Sequence, residues 1–148
     1  MTIPAGDGFT LIELMVAVAI MAILSAIAYP LYESQSRKGK RADGMVLLEQ
    51  VAQVEQQYFS HMNTYTTTVT DLPGIKSATS AGGYYSITVV PGATGSITSS
   101  FVVAATPLTD GQKKDTCESF TLSNLGIRGA TATGVSDATA ARIMCWGK

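Results

Sequence analysis

Few side chains in this chain are of a type and spacing that support chemistry. His61 is its single histidine, and it lies beside Met62 and Asn63 near the end of an amphipathic stretch, where an exposed or helix-capping role outweighs that of a general base. Cys117 and Cys145 are the two cysteines. Their separation favours a structural disulfide in an oxidising compartment over a redox pair, for which Cys-x-x-Cys is expected, or a zinc site, which needs four ligands. Closing a loop of this length constrains the unfolded chain by about 3 to 4 kcal/mol in the chain-entropy model. Asp110, Asp115 and Glu118 have the residue types of a calcium loop, but Lys113 and Lys114 stand among them, and a solvated charged loop is the better reading. No metal, cofactor or catalytic constellation is expected, and the chain does not read as an enzyme.

One further acid stands where acids are rare. From Phe9 to Ala28 the sole ionisable side chain is Glu13. About twenty helical residues rise roughly 30 Å, the thickness of a bilayer's hydrocarbon. The segment is apolar on every side, so it reads as a membrane span rather than as a one-faced helix on a soluble domain. A carboxylate inside such a span costs about 2.5 to 3.5 kcal/mol and needs a partner. The nearest one is an α-amino group, which exists at Phe9 only if the chain is cut after Gly8.

The remaining elements follow from periodicity. The chain has 148 residues, and with about the first thirty committed to leader and membrane, the rest suffices for one head with a modest core. Lys and Arg number 10 and Asp and Glu 11; losing Asp7 leaves 10 against 10, so bulk charge names no partner. Pro30 should kink or strain the helix near Tyr29 without ending it. Beyond it, Leu47, Leu48, Val51, Val54, Tyr58, Phe59 and Met62 share one arc, while Glu49, Gln50, Gln53, Gln56 and Gln57 share the opposite one. The periodicity therefore predicts a helix from Phe9 to about Met62, with Gly39 and Gly44 as weak points. A loop rich in Thr, Ser and Gly spans Asn63 to Gly83. Four antiparallel strands follow, over Tyr84–Val90, Ile97–Ala105, Ser119–Ser123 and Ile127–Ala130, with Asn124-Leu125-Gly126 supplying a turn. From Thr131 the tail is small and polar until Ile143-Met144-Cys145-Trp146, which would tie the end back onto the sheet through Cys117.

Gly8-Phe9-Thr10-Leu11-Ile12-Glu13 resembles the type III signal of type IV pilins and pseudopilins. An ordinary secretory signal places its apolar region before the cut, and here it follows. Thr106-Pro107, Asp115-x-Cys117, Phe120-x-Leu122, Leu125-Gly126 and Cys145-Trp146 resemble type IVa minor pilins of the PilE and ComP type. The resemblance implies an α+β pilin fold, in which the second half of a long N-terminal helix packs on a four-stranded antiparallel sheet and a disulfide closes a C-terminal loop. It also implies a leader at 1–8, a transmembrane and assembly segment at 9–30, and a head at 31–148. A prepilin peptidase would cut between Gly8 and Phe9, with N-methylation of Phe9. The leader departs from the family, since it carries Asp7 and no Lys or Arg. Positive-inside counting of Arg37, Lys38, Lys40 and Arg41 alone would keep the head cytoplasmic, whereas the resemblance, which we follow, puts it outside; a misplaced start or an altered leader would reconcile the two. Ala22 stands where related chains have a helix-loosening glycine.

The function so implied is that of a minor pilin, stored as a single-pass protein of the bacterial inner membrane and then drawn by the pilus assembly platform into an extracellular helical filament of pilins. There Glu13 would meet the methylated amine of a neighbouring Phe9. The cations at 37–41 would face lipid headgroups or neighbouring subunits. The alternatives are a DNA-binding competence pilin, with Lys113, Lys114, Arg128 and Arg142 converging near the disulfide-closed loop to meet phosphates, a major pilin, and a type II secretion pseudopilin.

Overall fold

Helix α1 begins where local chemistry tells it to. In the computed structural model, which describes residues 9–147, α1 runs Leu11–Met62. Thr10 is its N-cap. The Thr10 N–H and hydroxyl donate to Glu13 Oε2 at 2.9 and 2.7 Å, and the Glu13 N–H donates back to Thr10 Oγ1 at 3.3 Å. This is a capping box, in which two side chains three residues apart satisfy amides that the first helical turn leaves orphaned. The helix therefore starts two residues later than Phe9. It continues across Pro30 and stops at Asn63, which sits at φ 55°, a left-handed conformation that asparagine tolerates at a helix end.

The described chain forms two compact units, one up to Ser36 and one from Arg37 onward. In the first, the large apolar side chains from Leu11 to Tyr32 are all exposed. The second is built on a four-stranded antiparallel sheet in the order β1-β2-β3-β4, with β1 at Tyr85–Pro91, β2 at Phe101–Pro107, β3 at Cys117–Ser123 and β4 at Arg128–Ala132. Ile87 faces Ala105, Ala105 faces Phe120 and Phe120 faces Ala130, so one row of the sheet carries its inward side chains. These pack with Leu48, Val51 and Ala52 of α1, and with Tyr65, Val69, Leu72 and Ile75 of the connecting loop, into a single core. The β3–β4 turn relies on Gly126 at φ 74°, as its Asn-Leu-Gly sequence predicts.

Several expectations change. Ile97–Ser100 is not strand: Thr94 Oγ1 lies 2.6 Å from the hydroxyls of both Ser99 and Ser100, and this local network holds the segment as a turn, so β2 begins at Phe101. Met62 is exposed and leaves the apolar arc, while Glu55 is fully buried within it. Gln56, placed on the solvent arc, donates to the Asn124 carbonyl at 2.9 Å and accepts from Tyr65 Oη at 3.3 Å, which ties α1 to the β3–β4 turn. Gly44 is not a weak point but a close approach, because a Cβ there would lie 2.6 Å from the Tyr85 ring. The tail contains a helix. With a short turn α2 at Asp110–Lys113 already counted, this is α3, Ala138–Trp146. Asp137 caps it by accepting from the Thr139 N–H at 2.7 Å, and it buries Ala141 and Cys145 one turn apart.

Candidate functional site

The first candidate surface is the start of α1. Its apolar portion is long enough to cross a membrane, and none of that portion is buried within the chain. Phe9 is 90% exposed. Gly8 and the leader at 1–8 lie outside the described residues. Glu13 accepts from the Thr10 N–H and hydroxyl within its own chain, an arrangement whose sign in the sequence is Thr-x-x-Glu ahead of an apolar run, which spells a capping box. These two donors offset part of the cost of desolvating the Glu13 carboxylate.

The second is on the head, around the disulfide. Cys117 at the start of β3 and Cys145 in the last turn of α3 are bonded, with Cα atoms 5.8 Å apart. Trp146 closes the same corner: its Nε1–H donates to the Gly129 carbonyl at 2.7 Å, its ring meets Phe120 edge-on at 5.9 Å, and the Arg128 guanidinium lies 4.8 Å above it. Arg128 also donates to Glu49 on α1 at 2.9 Å. It is exposed, yet it is held by a carboxylate and a ring face.

A buried polar group lies on the other side of Cys117. Arg41 donates through Nε and Nη2 to the two oxygens of Asp115, each at 2.6 Å, with side-chain exposures of only 10% and 5%. Both residues overturn sequence expectations. Arg41 is not at lipid or a neighbour and Asp115 is not in solvent, because each removes the other's desolvation penalty inside the head. Gln112 completes the group, its amide donating to Tyr85 Oη at 2.8 Å, the Arg37 carbonyl at 3.1 Å and Asp115 Oδ2 at 3.3 Å. The Asp115 carboxylate holds the Arg41 guanidinium above its ordinary range. Burial pushes the Tyr85 hydroxyl up to about 12, against the Gln112 hydrogen bond. Between these anchors Lys113 and Lys114 are exposed. Lys113 pairs with solvent-facing Asp110 at 3.3 Å, and an exposed pair of that kind contributes about 0 to 1 kcal/mol. Lys114 and, on α3, Arg142 are exposed, and among the described residues their side chains have no ion pair or hydrogen bond. The structure thus brings Lys113, Lys114 and Arg142 to segments flanking one disulfide, and it places Arg128 in a structural pair. Asp110 and Glu118 are exposed as expected, with Glu118 accepting from Thr133 Oγ1 at 2.9 Å. His61 is exposed. Among the described residues no group of three His, Cys, Asp or Glu is placed to hold a metal.

The family described as "Type IV minor pilin ComP, DNA uptake sequence receptor" matches residues 30–121. This chain belongs to that family of type IV minor pilins. The prokaryotic N-terminal methylation motif matches residues 7–29, over the signal and the apolar helix. A fimbrial protein of Neisseria meningitidis serogroup A is 33% identical over 78 residues, covering 53% of this chain and 45% of the relative. The type IV major pilin protein PilA of Myxococcus xanthus is 37% identical over 62 residues, 42% of this chain and 28% of its own. This minor pilin spans less than half the length of those relatives. The crystal structure of the N. meningitidis non-core minor pilin PilV shares the fold at a TM-score of 0.50 and 23% identity, covering 70% of this chain and 94% of PilV.

Proposed function

We propose that this minor pilin waits in the bacterial inner membrane as a single-span protein and is then drawn into a type IV pilus as a subunit. The observation that carries this is the run from Leu11 to Tyr32, whose large apolar side chains are all uncovered. Such a surface exchanges lipid for neighbouring helices with little net change in apolar burial. A prepilin peptidase would cut between Gly8 and Phe9, and the new Phe9 amine would be methylated. In the filament Glu13 would trade its Thr10 donors for the methylated amine of an adjacent subunit, which sets register through charge pairing in a low-dielectric core. The unbroken helix around Pro30 is the place where strain would let α1 adapt during assembly. Glu13→Ala should leave membrane insertion intact and reduce the chain in sheared, purified pili. Normal amounts there would sink the proposed role. Gly8→Val should accumulate as an uncut precursor, and a mature-length band would overturn the cleavage site.

A second reading concerns the head. Its family is described by a DNA uptake sequence receptor, and Lys114 and Arg142 are exposed cations whose side chains have no partner among the described residues. We infer that the disulfide corner takes DNA through phosphate contacts from Lys113, Lys114 and Arg142, with Arg128 recruited only when it leaves Glu49. Affinity of the extracted chain for a DNA duplex should fall steeply with salt and fall again when Lys113 and Lys114 are both replaced by glutamate. Salt-insensitive binding, or none, would overturn this reading. A major pilin would differ by its abundance in sheared pili, and a secretion pseudopilin by a melting temperature that rises with calcium.

A further inference from the structure

Lys113 and Lys114 are fastened from both sides. Gln112 before them and Asp115 after them are buried, and two residues further Cys117 is buried and bridged to Cys145. Within six residues the chain is therefore anchored at three points, and only the two lysines and Thr116 face outward. The middle anchor is the most directional, because a guanidinium fork on a carboxylate fixes both orientation and distance, which a lysine in its place would not. A buried ion pair is a poor way to gain stability, since well-packed apolar residues often do as well. It is a good way to specify where a segment docks. A lysine ammonium is a point charge on a flexible stem, and the backbone beneath it decides which phosphate it reaches.

We propose that Arg41 and Asp115 are positioning residues for DNA: they touch no phosphate, but through the backbone they hold Lys113 and Lys114 in register with the phosphates. The proposal rests on the reading of the head as a DNA receptor. It gives Arg41, which the sequence alone placed at lipid headgroups or neighbouring subunits, a supporting role inside the head.

The test uses the full chain in detergent and a short labelled DNA duplex, with affinity measured across a salt series. Lys113→Gln with Lys114→Gln should make the slope of log affinity against log salt shallower by about 2, roughly one for each phosphate no longer neutralised. If that double variant binds as the parent does, the DNA reading of these lysines fails, whatever Arg41 does. Arg41→Met with Asp115→Leu should keep its near-ultraviolet circular dichroism and its disulfide, yet show a similarly shallower slope. Adding the two glutamine substitutions to it should then cost little more, because the lysines are already out of register. A folded Arg41→Met, Asp115→Leu chain with the parental slope, which still loses affinity when the lysines are removed, would overturn the proposal. Should that variant unfold, Arg41→Lys decides: it keeps the charge but not the fork, and a weakened, shallower salt response in the folded protein supports positioning, whereas parental binding overturns it.

Discussion

Asp115 and Glu55 are both buried carboxyl groups of the head, and they are held in opposite ways. Asp115 has a guanidinium nitrogen on each oxygen. Glu55 has the Thr66 N–H on Oε2 at 3.2 Å and, among the described residues, no partner on Oε1. Burial raises the Glu55 carboxyl above its ordinary value, and the Thr66 bond only partly opposes this. A raised native value means the folded chain binds the proton more tightly than the unfolded one. The stability is then complete below the ordinary glutamate range and is lost as pH rises through the raised value. Glu55→Gln should therefore stabilise the protein more at about pH 8 than at about pH 4, seen as a flatter dependence of melting temperature on pH. A parallel shift at both pH values would remove Glu55 as the cause. Gly44 gives the second prediction at this scale. Alanine gains about 1 kcal/mol of helix propensity, but its Cβ would press on a Tyr85 ring pinned through its hydroxyl by Gln112 and flanked by Phe120. Overpacking costs about 1 to 3 kcal/mol, so Gly44→Ala should lower the urea midpoint, and a raised midpoint would contradict this packing.

At the scale of elements, α3 joins the second Cys, the single tryptophan and Arg142 in one nine-residue helix. Reducing the Cys117–Cys145 bridge should release α3 from β4 and expose Trp146, shifting its emission to longer wavelength, along with a loss of about 2 to 5 kcal/mol. Asp137→Ala removes one cap and should cost about 1 kcal/mol with the emission nearly unchanged. If reduction leaves the emission where it was, packing alone holds α3. This helix also marks the limit of what the chain discloses about itself. The head half of α1 is legible because Leu48 and Val51 recur at helical spacing, and the β3–β4 hairpin because its turn carries Gly126. The tail is not, because Ala and Thr give no apolar period; the Asp137 cap ahead of an alanine-rich run is the available sign. Ile97 and Ser99 alternate like a strand and are overruled by a serine and threonine network. The Arg41–Asp115 pair is invisible for a different reason: 74 positions separate its members, and neither carries a local mark of the other. In the sequence Arg41 therefore reads as one of a basic run and Asp115 as one of a charged loop.

At the scale of the whole molecule, the two compact units carry different chemistry. The core cluster begins at Leu48, and the sheet, the disulfide and the Arg41 pair all lie from Arg37 onward, so the interactions that hold the head together belong to the second unit. A soluble chain starting at Tyr32, just over one turn ahead of the Arg37 carbonyl that Gln112 uses, should melt within a few degrees of the full chain in detergent. Glu13 and its cap belong wholly to the first unit. If each unit serves its own function, their defects should separate, since groups with no shared partner act additively. Glu13→Ala should deplete the chain from sheared pili while the extracted protein keeps parental DNA affinity. Lys113→Gln with Lys114→Gln should do the reverse, entering pili in parental amounts with a weakened, shallower salt response. A lysine variant missing from pili would show that these cations contact neighbouring subunits rather than DNA. A Glu13 variant with altered DNA affinity would show that the two units are coupled.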